Sequence, residues 1–220
     1  MGKEKSGRRK EQAAETKKKL YESAGKLFRE RDFTEVSVDN IVEEAGVSKG
    51  TFYVHFESKD ALIASFISDY TARLDLDYKT FLNSLPPDMP ASDMLLAMNR
   101  KIADVLVDTI GYETMRTVYQ LQLTRAVDMD AIKGYSRELY KMFGDILEQG
   151  IRRGEFKTDL PLEALSRHFV MAIRGLCYEW CIRYPDFELK EETAAHFRLL
   201  LDGIKEQPGR FDLMSVGDED

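Results

Sequence analysis

Apolar residues recur along most of this chain at intervals of three and four. Leu62, Phe66, Tyr70 and Leu74 fall on every fourth position, with Ile63 and Ile67 alongside. Met94, Met98, Ile102, Val105 and Leu106 keep the same rule, as do Ile132, Tyr135, Leu139, Met142, Phe143, Ile146, Leu147 and Ile151. A further series runs through Leu162, Leu165, Phe169, Ile173, Leu176 and Trp180, and a last one through Leu189, Thr193, Phe197, Leu200, Leu201 and Ile204. This is the spacing of one face of an α-helix, and no comparable run alternates with the period of two that a strand needs. Prolines punctuate the series: Pro86, Pro87 and Pro90 cluster, Pro161 and Pro185 bracket one stretch, and Pro208 precedes the end. Proline removes a helical hydrogen bond and clashes with the preceding turn, so its absence from 91 to 160 fits long helices. The pattern predicts an all-α protein.

Residues 20 to 66 have a finer grain. Leu20, Ala24, Leu27 and Phe28 predict a first helix that stops at the charged run RERD before Phe33. Ser37 is a good N-cap for a second helix carrying Val38, Ile41 and Val42, with Asp39 favourable in its first turn. Gly46 suits the left-handed residue of a sharp C-terminal turn. Val47 then plugs the core, and Ser48 caps a short third helix, Lys49 to His55. Two helices joined by a short glycine-containing turn make a helix-turn-helix, whose second helix enters the DNA major groove. Phe52 and Phe56, four apart, face inward, leaving Lys49, Gly50, Thr51, Tyr53 and His55 as an outer face suited to nucleic acid. Ser58 caps the next helix, whose first residue, Lys59, and free N–H groups suit a phosphate.

Charge sharpens this picture. The 220 residues hold 32 Lys and Arg against 39 Asp and Glu, a net of −7. Yet residues 1 to 19 carry eight Lys or Arg and three acids, a local +5, which leaves −12 on the remainder. The asymmetry predicts an arm that meets a polyanion while the body does not, the plainer reading of such a run being a solubilising tail. The basic N-terminus is followed by no apolar signal region, and no apolar run approaches a membrane span, so the expected location is the cytoplasm. Two cysteines, Cys177 and Cys181, are too few for a disulfide framework.

From about Thr16 to Phe66 the chain resembles the DNA-binding domain of the TetR family of bacterial transcriptional regulators. The run Ala45-Gly46-Val47-Ser48-Lys49-Gly50-Thr51-Phe52-Tyr53-Val54-His55-Phe56-Glu57-Ser58-Lys59-Asp60-Ala61-Leu62 follows that family's signature almost position for position. Gly150 to Phe156 followed by Asp159-Leu160-Pro161, and Gly175-Leu176 with Trp180, resemble its last three helices. The resemblance implies a three-helix helix-turn-helix domain and a larger helical domain for ligand binding and dimerisation. The expected boundaries are a flexible basic arm at 1–15, the DNA-binding domain at 16–60, the large domain at 61–206 and an acidic tail at 207–220. It also implies a repressor that reads a palindromic operator as a homodimer and is released by a small-molecule effector, with no cofactor. By position, Thr51 and Tyr53 contact bases or phosphates, His55, Lys59 and Ser37 contact phosphates, and Lys49 lies at the groove. The DNA-facing set is Ser37, Ser48, Lys49, Gly50, Thr51, Tyr53, His55 and Lys59. Val54, where the family often has a polar or aromatic residue, offers no polar contact. The arm from Lys3 to Lys10 is expected to reach an adjacent minor groove or the backbone.

The resemblance implies a small-molecule cavity in the large domain, and the expected ligand-lining set is Met98, Ile102, Tyr119, Met142, Phe143, Phe169 and Ile173, methionine being able to adapt to irregular cavities. Such stripes are more often plain core. The resemblance implies a dimer surface on the last two helices, where His168, Met171, Ala172, Gly175 and Tyr178, out of phase with the core stripe, are expected together with Leu201 and Ile204. No catalytic residue and no metal site is expected: no phosphate-binding glycine loop, G-x-S-x-G or H-E-x-x-H is present. His168 and His196 lack partners at ligand spacing, and buried packing or a subunit interface accounts for Cys177 and Cys181 better than a metal or an oxidant sensor does. Asp128 and Asp130 are expected to end one helix and cap the next. The rival reading is a ligand- or protein-binding helical module with a vestigial DNA-binding domain.

Overall fold

The computed structural model describes residues 2–31, 33, 35–125 and 134–205, and among them the regular structure is helical. Among the described residues nine α-helices follow one another: α1 (Gly2–Glu30), α2 (Val38–Ala45), α3 (Lys49–His55), α4 (Lys59–Asn83), α5 (Ala91–Asp104), α6 (Tyr112–Thr124), α7 (Glu138–Arg152), α8 (Leu162–Arg183) and α9 (Leu189–Ile204). The predicted tail at 207–220, together with Ile132, Asp128 and Asp130, lies outside the described residues.

Two large apolar clusters organise these helices, with a smaller third around Cys177, Trp180 and Leu189. The first gathers Leu20, Ala24 and Leu27 of α1, Ile41 and Val42 of α2, Phe52 and Phe56 around α3, and Leu62 of α4. Burying each large side chain of this kind contributes roughly 1.5–3 kcal/mol, which is what lets helices of eight and seven residues persist. The second cluster fills the space between α5, α7, α8 and α9, with Leu95, Met98, Phe143, Leu147, Phe169, Phe197 and Leu201 at its centre. Phe169 meets Phe197 edge-on at 5.3 Å. Helix α4 belongs to both: Leu62 packs in the first cluster and Tyr78 in the second. The expected boundary at 60/61 therefore falls inside the first turn of a continuous helix.

Three elements differ from the sequence expectation. Residues 2–15, expected as a flexible arm, continue α1 as helix back to Gly2. The segment is free of proline and rich in Lys, Glu, Arg and Ala, and its last residue, Glu15, forms an i,i+4 ion pair with Lys19. The helix expected to carry Tyr135 begins only at Glu138: Gly134 opens a turn closed by Arg137 N–H donating to its carbonyl, and Tyr135 is left 60% exposed. Helix α6 has no counterpart among the predicted stripes. It follows a π-helical segment, Val105–Ile110, in which Gly111 N–H reaches back five residues to the Leu106 carbonyl at 3.0 Å. Gly111, at φ +79°, then redirects the chain into α6.

Candidate functional site

The local chemistry of α2 and α3 builds the outer face of the head. Ser37 closes a reciprocal cap with Asn40: Asn40 N–H donates to Ser37 Oγ at 3.1 Å and Ser37 N–H donates to Asn40 Oδ1 at 3.0 Å. Gly46, at φ +65°, ends α2, and Val47 N–H donates to the Val42 carbonyl at 3.0 Å, so the turn is short and left-handed. Ser48 Oγ accepts from Thr51 N–H at 3.1 Å and lies 2.8 Å from Thr51 Oγ1. Both hydroxyls thus serve the start of α3. Phe52 and Phe56 are buried, while Tyr53 is 53% and Val54 79% exposed. His55 is half-buried and Gly50 exposed. A Cβ built at Gly50 meets only Ser48 Oγ, at an ordinary 3.7 Å, so the fold itself makes no demand for glycine there.

The two lysines of the expected DNA-facing set have partners inside the protein. Lys49 Nζ pairs with the Asp39 carboxylate at 2.9 Å, an exposed pair that raises the lysine's pKa through the hydrogen bond and then the charge of Asp39. Lys59 Nζ donates to the Phe33 carbonyl at 2.9 Å and is half-buried. Spacing places a side chain on a helix face, but it does not show that a carboxylate one element away lies within reach.

Behind the head is a cavity of about 630 Å³. Its walls come from head and body alike: Tyr21, Gly25, Phe28 and Phe33 from the head, Phe66, Tyr70 and Leu74 from α4, and Ile102, Met115, Tyr119 and Ile173 from the body. The period-four stripe of α4 therefore lines a void for most of its length. The π-helical segment contributes Leu106, Thr109 and Ile110, in keeping with the use of such irregular turns at sites. Of the expected ligand-lining residues, Ile102, Tyr119 and Ile173 face the cavity. Met98, Met142, Phe143 and Phe169 instead pack into the closed core between α5, α7, α8 and α9, where neighbouring helices fill the space around them. Sequence reasoning missed the head's aromatic wall and three arginines, Arg73, Arg137 and Arg174. The signal available for the wall was the α4 stripe itself.

Hydrogen bonds tie the cavity wall together. Tyr21 stacks on Phe66 at 3.8 Å and its hydroxyl donates to Asp69 at 2.5 Å, a link between α1 and α4. Burial and that carboxylate push the Tyr21 phenol up, so it stays a donor. Tyr119 donates to the Arg174 carbonyl at 2.7 Å, and burial likewise holds it neutral. Asp75, on α4, is gripped by Arg137 through Nε at 3.0 and 3.1 Å and Nη2 at 2.6 Å, with side chains only 9% and 15% exposed. Cys177 sits against Trp180 and Leu189, and its hydrogen bond to Cys181, then burial, push its thiol up. Among the described residues no three His, Cys, Asp or Glu side chains are grouped as for a metal.

The expected dimer residues divide. His168, Met171, Gly175 and Tyr178 are exposed along α8. Ala172 and Ile204 are half-buried against the core, and Leu201 is fully buried in it. On α9 the exposed apolar residue is Leu199, at 71%. Leu199 and Leu201 lie some 200° apart on a helix, so only one of them points outward.

A sequence model described as bacterial regulatory proteins, tetR family, matches residues 20–66, the stretch that carries the caps, the turn and the exposed α3 face. The chain belongs to the TetR family. It is a helix-turn-helix transcriptional regulator, and its likeness to relatives extends well past the head. The transcriptional repressor KstR2 of Mycolicibacterium smegmatis is 23% identical over 206 residues, covering 90% of this chain and 95% of the relative. Among solved structures, Thermus thermophilus FadR, a TetR-family repressor in complex with lauroyl-CoA, superposes with a TM-score of 0.69 at 22% identity, over 88% of this chain and 97% of that one. Bacillus subtilis FadR in complex with stearoyl-CoA gives 0.62 at 20% identity, over 84% and 98%. The shared architecture is thus an all-α head and helical body. No helix among the described residues is long and apolar enough to cross a membrane.

Proposed function

We propose that the protein is a homodimeric repressor that holds a palindromic operator and releases it when an amphipathic small molecule enters the cavity. The head, residues 16–60, binds DNA through Ser37, Ser48, Lys49, Gly50, Thr51, Tyr53, His55 and Lys59; the body, 61–206, carries the effector and the dimer surface. One helix-turn-helix reads few base pairs, so pairing two across a two-fold axis supplies specificity. The exposed apolar residues Met171, Tyr178 and Ile182 of α8 and Leu199 of α9 support a dimer surface on these two helices. No catalytic role is assigned to any residue, and the protein acts in the cytoplasm, where its operator is.

The observation that carries the reading is the shared cavity: one void of about 630 Å³ is walled by the DNA head and the body together, with α4 running through both. Its volume lies in the range of small-molecule sites, about 300–1,000 Å³. A ligand there touches the head directly, so an occupant that fits one head position better than another shifts the two apart, and DNA weakens the ligand by the same factor. The lauroyl-CoA and stearoyl-CoA named with the two FadR structures support an effector with a long apolar part.

The test is selection from random duplexes, followed by titration of the winning sequence with and without lauroyl-CoA as probe. Enrichment of a palindrome bound by two protomers, and weakened by an amphiphile, is the expected result. Sequence-blind binding alone would favour the helical module with a vestigial head.

A further inference from the structure

One corner of the cavity is built differently from the rest. Arg137 and Arg174 both line it, and Tyr140 stands between them: its hydroxyl lies 3.5 Å from Arg174 Nη1, and its backbone N–H donates to the Arg137 carbonyl at 3.0 Å. Arg137 is neutralised by Asp75. Arg174 has no carboxylate partner among the described residues, and the Tyr119 hydroxyl, by holding its carbonyl, fixes that part of α8. Of these two guanidinium groups at the edge of a largely apolar void, only that of Arg137 is held by a carboxylate among the described residues. A partly desolvated positive charge of this kind gains from an anion, and each guanidinium offers five N–H donors in a fork that fits two oxygens at once.

We propose that this corner seats the anionic head group, a carboxylate or a phosphate, of the amphiphile whose apolar part fills the cavity, and that this head group competes with Asp75 for Arg137. The assignment rests on the ligand-cavity reading above and adds the polarity of the ligand and the trigger. Asp75 is on α4, thirteen positions from Leu62, which is packed in the DNA head. Arg137 stands just before α7, in the body. The ion pair is thus a clasp between the helix that carries the head and the body that holds the ligand. An anion bonded to Arg174 and to the free Nη1 of Arg137 weakens Asp75's hold, and α4 is then free to change its angle. An uncharged ligand of the same length fills the cavity without opening the clasp.

The experiment is calorimetric titration of the full chain with dodecanoate, dodecyl phosphate and dodecan-1-ol below their aggregation concentrations, on the parent protein and on Arg174→Gln and Arg174→Lys. Thermal melts show that each variant is folded. At least one of the anions should bind the parent about tenfold or more tighter than the alcohol, the worth of a charge-assisted pair. The tighter anion identifies the head group. Arg174→Gln should remove most of that preference and leave the alcohol unchanged, and Arg174→Lys should restore part of it. At saturation the anion should weaken operator binding and the alcohol should not. Equal binding of alcohol and anions, untouched by Arg174→Gln, overturns the anionic seat while leaving the cavity reading in place. Operator release by saturating alcohol as complete as by the anion overturns the clasp. Failure of all three amphiphiles to bind overturns the cavity reading and this one with it.

Discussion

Replacing Asp39 by Asn should make operator binding tighter and more salt-dependent. Asp39 sits in the first turn of α2 and holds Lys49, at the start of α3, through a 2.9 Å ion pair whose side chains are 70% and 54% exposed. In the proposed complex both face the duplex, so the carboxylate cancels the lysine beside the phosphates. Removing it leaves one uncompensated positive charge per protomer, two per dimer. Each phosphate newly neutralised steepens log K against log salt by about 0.9, so the dimer's slope should steepen by up to about 1.8. Between 0.05 and 0.2 M salt that extra slope amounts to about twelvefold more loss of affinity than the parent suffers. Lys49→Ala should move the slope the other way, and the double variant, which restores the parent's net charge, should return close to it. Both side chains are exposed and the Ser37 cap of α2 is untouched, so Asp39→Asn gives up only its helix-dipole contribution of about 0.3–1 kcal/mol, and a melting temperature lowered by no more than a few degrees separates the effect from unfolding. Fluorescence anisotropy on the selected operator at four or five salt concentrations is the assay. A slope for Asp39→Asn equal to the parent's would refute the argument, because it would mean that the pair does not sit beside phosphates.

Two more expectations follow from the same geometry. Deleting residues 2–14 removes Lys3, Lys5, Arg8, Arg9 and Lys10 but none of the α1 residues packed in the head cluster, so the melting temperature should hold. With one phosphate contact per extension, the dimer's salt slope should become shallower by at least about 1.8, and an unchanged slope would assign the extension to solubility alone. Gly175→Trp should leave the protomer folded, since a Cβ built at Gly175 meets nothing within 4 Å, yet it should block close approach of two α8 helices. Analytical ultracentrifugation should show the monomer mass; a persistent dimer would move the interface elsewhere.

The head and the body differed in how much of them could be read in advance. Around the helix-turn-helix every instruction is local. Ser37, Ser48 and Ser58 each accept from an N–H three residues on, and Gly46 takes the one left-handed conformation the turn needs. Interactions of such short range survive in any tertiary setting, which is why caps, helices and the inward pair Phe52 and Phe56 were legible from residue types and spacing. The apolar series of α4, α5, α7, α8 and α9 likewise announced helices, because burial of one face is a property of the helix before it is a property of the fold.

What the apolar face meets was not legible. Met98, Phe143 and Phe169 share their spacing with Phe66, Tyr70 and Leu74, yet the first three are enclosed by neighbouring helices and the others border a void. Periodicity reports which side of a helix leaves water, and only the distance to the opposing helix decides between core and cavity. The basic N-terminal segment was read from its charge, while its helix rests on propensity and on continuity with the rest of α1. The clasp between Asp75 and Arg137 joins positions 62 apart, and the corner at Arg174 forms only once α7 and α8 pack side by side. The sequence by itself thus determined an all-α chain with a DNA-reading head, because those features are set by neighbours along the backbone. The tertiary structure alone decided where the chain leaves space and which charges meet there, because both depend on contacts between residues far apart in the chain.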